Sequence, residues 1–133
     1  MSANDLPDEF RPFFEQAKQA RLTFPRCTSC KRFHWYPMPR CPHCRGIDIE
    51  WQPVAGPGQI FSFTHVRHPF DEKRRGALPY TVGLITFDDA PGVQFITNIV
   101  GAAANEVVIG RPVEPVFSTS ADGAPVVNFR LTA

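Results

Sequence analysis

Cys27, Cys30, Cys41 and Cys44 are the only cysteines in the 133-residue chain, and they form two Cys-x-x-Cys pairs within 18 residues. In Cys27-Thr28-Ser29-Cys30 and Cys41-Pro42-His43-Cys44 the two sulfurs of each pair can converge on one ion. Ten intervening residues let the second pair complete a tetrahedral thiolate site. Four soft thiolates select zinc and leave no coordination position for water or substrate, so the expected metal is a single structural zinc, not a catalytic one.

Other uses of the sulfurs fit less well. Two disulfides suit a secreted chain, but Met1-Ser2-Ala3-Asn4-Asp5 is polar and acidic, without the apolar core of a signal segment. A redox dithiol wants its first cysteine at a helix start within a βαβ unit, whereas Pro37 and Pro39 precede Cys41 and Arg45-Gly46 follow Cys44. Neither pair is followed by histidine, which excludes covalent haem attachment. Iron bound in the rubredoxin manner is the remaining metal alternative, and it would colour the protein. His34 and His43 lie near the cysteines, but four sulfurs already fill the shell, so both are expected as surface or packing residues.

The elements that must position this site are constrained by composition. The chain is 43% hydrophobic and 20% charged, with no apolar run approaching the roughly 18 residues of a membrane span. A cytoplasmic location is the expectation. Fourteen prolines, against the ~5% typical of proteins, argue against an all-helical fold. Net charge is only +1, yet residues 18–45 carry Lys18, Arg21, Arg26, Lys31, Arg32, Arg40 and Arg45 with no acid. That positive charge either favours thiolates and compensates a zinc tetrathiolate, or meets an anionic partner.

Three segments follow. Residues 1–21 hold a short helix in which Pro7, Asp8 and Glu9 suit the first turn, and Phe10, Phe13, Phe14 and Ala17 share one face. Such a stripe usually packs into a core, but a helix this short has little of its own domain to cover, so the three phenylalanines are candidates either for core packing or for docking on a partner. Residues 22–52 form the metal ribbon, too small to fold without its ion. Residues 53–133 read as five short strands. Three are Ile60 to Val66, Tyr80 to Phe87 and Val93 to Val100; Val113 to Phe117 and Val126 to Leu131 flank an Asp122-Gly123 turn. The predicted class is mainly β: N-terminal helix, zinc ribbon, then a five-stranded OB-fold barrel.

These features in this order resemble the acyl-CoA-associated OB-fold family with an N-terminal rubredoxin-like zinc ribbon. The likeness runs through Phe13-Phe14-Glu15, Leu22 before the first knuckle, Tyr36-Pro37-Met38-Pro39-Arg40 before Cys41-Pro42-His43-Cys44, and Trp51. It continues in Gly58-Gln59-Ile60-Phe61-Ser62-Phe63-Thr64, Leu78-Pro79-Tyr80 and Ile109-Gly110-Arg111-Pro112-Val113. Two departures are Asp89-Ala90-Pro91-Gly92, where the family has a plain acidic-glycine turn, and Lys31-Arg32, where a glycine is usual after the knuckle. The resemblance implies an accessory subunit beside a thiolase-like, synthase-like, aldolase or hydratase partner, helping to bind or channel a CoA thioester shared with it. Within that reading the favoured partner is thiolase-like and performs retro-aldol or retro-Claisen carbon–carbon chemistry on an acyl-CoA.

The residues constrain that role independently. With every cysteine committed to metal, no thiol nucleophile remains, and no Gly-x-Ser-x-Gly elbow is present. Arg67, Lys73, Arg74 and Arg75, in a basic stretch between strands, are the candidate cations for CoA phosphates. His65 and His68 are the candidates for proton transfer, though neither has a carboxylate partner apparent in sequence. Two other functions compete. A zinc ribbon joined to an OB-fold also suits single-stranded nucleic acid, but the barrel half is net acidic and its aromatics alternate as core residues do. An enzyme acting alone on a CoA ester is the third reading, and turnover by the isolated chain would establish it.

Overall fold

The computed structural model describes residues 7–68 and 79–132. A 3₁₀ turn at Asp8–Phe10 leads into helix α1, Arg11–Ala17. Pro12 falls in the first turn of α1, where a missing N–H costs no helical hydrogen bond. The helix stops in a Schellman arrangement. Ala20, at φ 59°, donates its N–H to Ala17, and the Arg21 N–H reaches back to the Gln16 carbonyl. This reversal delivers Leu22 directly to the ribbon.

The ribbon is a two-stranded antiparallel sheet of β1, Thr23–Cys27, and β2, Ile49–Pro53, with Cys27 opposite Ile49 and Thr23 opposite Pro53. Arg26 also bridges to Phe33, which folds the inter-knuckle loop back along β1. The five strands expected in the second half are present as β3, Gly58–Val66; β4, Tyr80–Phe87; β5, Phe95–Ile99; β6, Pro112–Thr119; and β7, Pro125–Leu131. They close a barrel in the order β3-β4-β5-β7-β6. Gly58 and Gln59 pair with Val113 and Pro112, and a single parallel pairing of Ile99 with Phe129 joins β5 to β7. Where that parallel contact is thin, the buried Thr97 Oγ1 donates to the Val127 carbonyl at 2.8 Å.

Strand alternation decides what faces inward. In β5, Phe95, Thr97 and Ile99 are buried and Ile96 and Asn98 are exposed. A bulge between Ile60 and Ser62 in β3 leaves Phe61 unpaired and half-exposed while keeping Ile60 in the core. Gly58 has no room for a side chain, because a Cβ there would lie 2.5 Å from Ile85 Cγ2. Val93, expected to begin the third barrel strand, instead closes the preceding turn by donating to Ala90.

Helix, ribbon and barrel share one hydrophobic core. Phe24 of β1 is fully buried, with ring centroids 5.4 Å from Trp35, 5.1 Å from Phe87 and 5.6 Å from Phe95. Phe13 of α1 packs on Trp35 at 5.0 Å and on Phe95 at 5.5 Å. Of the two uses the sequence leaves open for Phe10, Phe13 and Phe14, core packing is the one their burial matches. They are 7%, 2% and 9% exposed and are spent inside the chain, sealing the junction between ribbon and barrel. The sequence conceals this because the aromatic rings they pack on lie 11 to 82 positions away. Among the described residues, no helix is long and apolar enough to cross a membrane.

Candidate metal centre

β1 ends at Cys27, and its pairing with Ile49 fixes where the first knuckle leaves the sheet. The turn closes through the Lys31 N–H on the Cys27 carbonyl at 2.9 Å. The second knuckle repeats the device, with the Arg45 N–H on the Cys41 carbonyl at 2.8 Å. Lys31 and Arg45 both adopt φ 66°, the left-handed region that favours glycine. The knuckle backbone is therefore retained without glycine, at a conformational cost. Gly46, one residue on, keeps the approach to the cage open: a Cβ there would stand 3.3 Å from Cys44 Sγ and 3.4 Å from Cys27 Sγ, a tight fit against the sulfurs.

The four Sγ atoms all lie within 4.8 Å of one another. Cys27 and Cys44 are 3.5 Å apart and Cys30 and Cys41 are 3.6 Å apart. Four sulfurs at ~2.3 Å from a central ion would be separated by about 3.8 Å, so the cage has the dimensions of a zinc tetrathiolate. All four are free thiols, which removes the disulfide reading. Backbone N–H groups of His43 and Gly46 point at Cys41 Sγ and Cys44 Sγ, at 3.3 and 3.4 Å, as donors that stabilise thiolate charge. Neither His34 nor His43 belongs to the cluster.

Electrostatics differ across the cage. The Cys30 backbone N–H, outweighing burial, holds the Cys27 thiol down at about 6. Burial acts to raise the Cys41 thiol, but the N–H groups of Cys44 and His43 prevail and lower it. At Cys44 the Gly46 N–H acts to lower the thiol, but contact with Cys27 Sγ, burial and the other two sulfurs push it up to about 11. Sulfurs this close resist carrying four negative charges alone. A divalent cation relieves that repulsion, which ties metal loading to deprotonation of the set.

The other residues singled out from sequence are scattered. His65 Nδ1 is 2.8 Å from Thr81 Oγ1, its cross-strand partner, and its ring packs beside Phe63. Arg67 and His68 follow β3 and are exposed. Lys73, Arg74 and Arg75 lie outside the described residues. Sequence reading missed a shallow groove of about 220 Å³ between the start of the helical segment and the ribbon, lined among others by Asp8, Glu9, Met38, Pro39, Ile47 and Trp51. The proline bracket around Met38 was its one visible signal.

Comparison with known proteins fits this architecture. Residues 14–50 match the family model for the ChsH2 rubredoxin-like zinc ribbon domain, and residues 51–118 match that for the ChsH2 C-terminal OB-fold domain. The chain belongs to the ChsH2 family. A solved structure described as an Ltp2-ChsH2(DUF35) aldolase contains a chain that is 32% identical, with a TM-score of 0.83 over 96% of this chain and 98% of that one. A DUF35 family protein of unknown function from Sulfolobus solfataricus shares the fold at 20% identity and a TM-score of 0.69, over 98% of this chain and 90% of that one. A probable enoyl-CoA hydratase alpha subunit from Thermomonospora curvata is 39% identical over 101 residues, 76% of this chain. The chain spans 30% of that relative's length. Its ribbon is a zinc ribbon of the ChsH2 kind, with Cys27, Cys30, Cys41 and Cys44 as the metal-binding cysteines.

Proposed function

We propose that this ChsH2-family chain is an accessory component of an acyl-CoA enzyme and docks on a thiolase-like partner that makes or breaks a carbon–carbon bond by aldol or Claisen chemistry. The observation that carries the reading is the end-to-end match to a chain of an Ltp2-ChsH2(DUF35) aldolase, at 32% identity and with no large insertion on either side. The likeness to a probable enoyl-CoA hydratase alpha subunit supports the same acyl-CoA setting.

The chain's own chemistry agrees with a supporting role. All four cysteines gather at one metal cage, so a thiol nucleophile for acyl transfer has to come from the partner. A tetrathiolate zinc has no open position and serves as a scaffold. The barrel would cover the thioester and exclude water, with Arg67 and the Lys73-Arg74-Arg75 run supplying cations for the CoA phosphates. His65, whose ring nitrogen is held by Thr81, and the exposed His68 would be the candidates to hold a proton during the reaction.

The test is co-expression with the acyl-CoA enzyme that co-purifies with the chain, followed by a carbon–carbon cleavage assay on CoA esters using the complex and each component alone. The complex should turn over, and the isolated chain should not. Turnover by the chain alone, or a partner whose activity is indifferent to it, overturns the reading.

A further inference from the structure

Gly46 leaves a small gap on the rim of the metal cage. A side-chain carbon at that position would stand 3.3 Å from Cys44 Sγ, 3.4 Å from Cys27 Sγ and 3.4 Å from Ser29 Oγ. A sulfur from each knuckle and a hydroxyl from the first therefore converge on a spot that no side chain at position 46 fills. The spot is open to water on the side of Ser29 and Cys44, both exposed. Cys44 is the exposed member of the set, whereas Cys27 and Cys41 are buried and Cys30 is half-buried.

The sulfurs also differ in how well the backbone quenches them. Cys27 Sγ accepts N–H groups from Cys30 and Ser29, and Cys41 Sγ accepts them from Cys44 and His43. Cys44 Sγ accepts one, from Gly46 at 3.4 Å. Each N–H draws charge off a thiolate, so Cys44 keeps more of its own than Cys27 or Cys41 does. Susceptibility to oxidation follows thiolate character and exposure, and it becomes reversible where a second cysteine stands ready to resolve the product. That second sulfur is in place: Cys27 Sγ lies 3.5 Å from Cys44 Sγ, across the two knuckles.

We propose that Cys44 is an oxidation site for small hydroperoxides, and that the ribbon gives up its zinc through a disulfide between Cys27 and Cys44. With hydrogen peroxide in the gap, the Cys44 thiolate attacks one oxygen. The S–O bond forms as the O–O bond breaks, and the departing hydroxide, hydrogen-bonded by Ser29 Oγ, takes a proton from solvent to become water. The Cys27 thiolate then attacks the Cys44 sulfur, forming the S–S bond and expelling the second oxygen as hydroxide, which is also protonated to water. The two sulfurs lose two electrons and the peroxide gains them. Zinc is left with Cys30 and Cys41 alone, too few ligands to hold it. Cys27 ends the strand that carries Phe24 into the shared core, so loss of the ion loosens the ribbon where it meets the barrel. None of this depends on which enzyme the chain accompanies.

The experiment exposes the zinc-loaded full chain to hydrogen peroxide and, separately, to cumene hydroperoxide. Zinc release is followed with a chromogenic chelator, and disulfides are mapped by mass spectrometry after alkylation of the remaining thiols. Hydrogen peroxide should release the metal with Cys27–Cys44 as the first disulfide, and the bulkier peroxide should act at least about tenfold more slowly. Dithiothreitol and added zinc should restore the loaded ribbon. Gly46 lies outside the left-handed region, so Gly46→Ala meets no backbone strain and fills the gap without removing a ligand. It should slow peroxide-driven release about tenfold while zinc loss to the chelator alone stays within about twofold of the parent. Ser29→Ala should slow release about fivefold, the worth of one hydrogen bond. Should Gly46→Ala fail to hold zinc, the disulfide map and the Ser29→Ala rate decide. A first disulfide within one knuckle, Cys27–Cys30 or Cys41–Cys44, overturns the proposal. So does equal peroxide sensitivity of the parent and a zinc-loaded Gly46→Ala, or a parent chain that keeps its zinc through the treatment.

Discussion

Truncating Phe24 to alanine tests whether ribbon and barrel are one cooperative unit. Phe24 is 0% exposed and sits among Phe13, Trp35, Phe87 and Phe95, which come from the helix, the inter-knuckle loop and two barrel strands. Removing a buried phenyl ring from such a site costs about 3–5 kcal/mol, the transfer free energy plus the cavity left behind. Its neighbours are anchored on separate elements, which limits collapse and points to the upper half of that range. Against a total stability of roughly 5–15 kcal/mol for a domain, the loss is a large share. Phe24→Leu should cost less than half as much, because most of the volume is retained. The assay is urea unfolding of the zinc-loaded protein, followed by tryptophan fluorescence and by zinc release to a chromogenic chelator. Trp35 and Trp51 report the ribbon side, and far-UV circular dichroism reports the barrel. In the parent protein the three signals should coincide, and in Phe24→Ala all should move together to a lower midpoint. A loss below about 1 kcal/mol, or a barrel transition unaffected by the mutation while the ribbon alone melts, would refute the shared-core argument.

Three further outcomes follow. Purified protein should contain one zinc per chain and be colourless, and Cys27→Ser, at a fully buried ligand, should lose the metal and unfold the ribbon; elemental analysis and circular dichroism check both. Lys31→Gly should raise stability by about 0.5–1 kcal/mol, because it removes the left-handed strain at φ 66° at a smaller cost in unfolded-chain entropy; a lower urea midpoint would contradict it. His34 is 4% exposed, neither ring nitrogen has a hydrogen-bond partner among the described residues, and burial, followed by the nearby His43, lowers its pKa below the usual 6.5. The unfolded chain then binds the extra proton first, so this residue's contribution is complete above 6.5 and is lost as the pH falls below it, by up to about 1.4 kcal/mol per pH unit. Stability curves from pH 7.5 to 5.5 should be less steep for His34→Gln than for the parent, and parallel curves would show that His34 is not the group involved.

Local chemistry made much of this protein legible in its sequence. Two Cys-x-x-Cys pairs specify a metal cage because ligand spacing is a short-range property, and the four sulfurs do converge. Turn residues and period-two alternation delimit strands, so the five barrel strands fall close to their expected positions. The ribbon's own strands escaped notice: Thr23–Cys27 contains a proline, Ile49–Pro53 ends in one, and each is only five residues long.

What the sequence could not decide was which apolar residues meet each other. Phe10, Phe13 and Phe14 form an apolar stripe whether they cover a partner or the chain itself, since periodicity names a face but not its mate. Only the folded chain, by bringing Phe24, Trp35 and Phe95 under that helix, shows that the stripe is internal. The same folding leaves Met38 and Ile47 exposed beside the basic knuckles, because burial depends on contacts between distant segments and no local pattern records them.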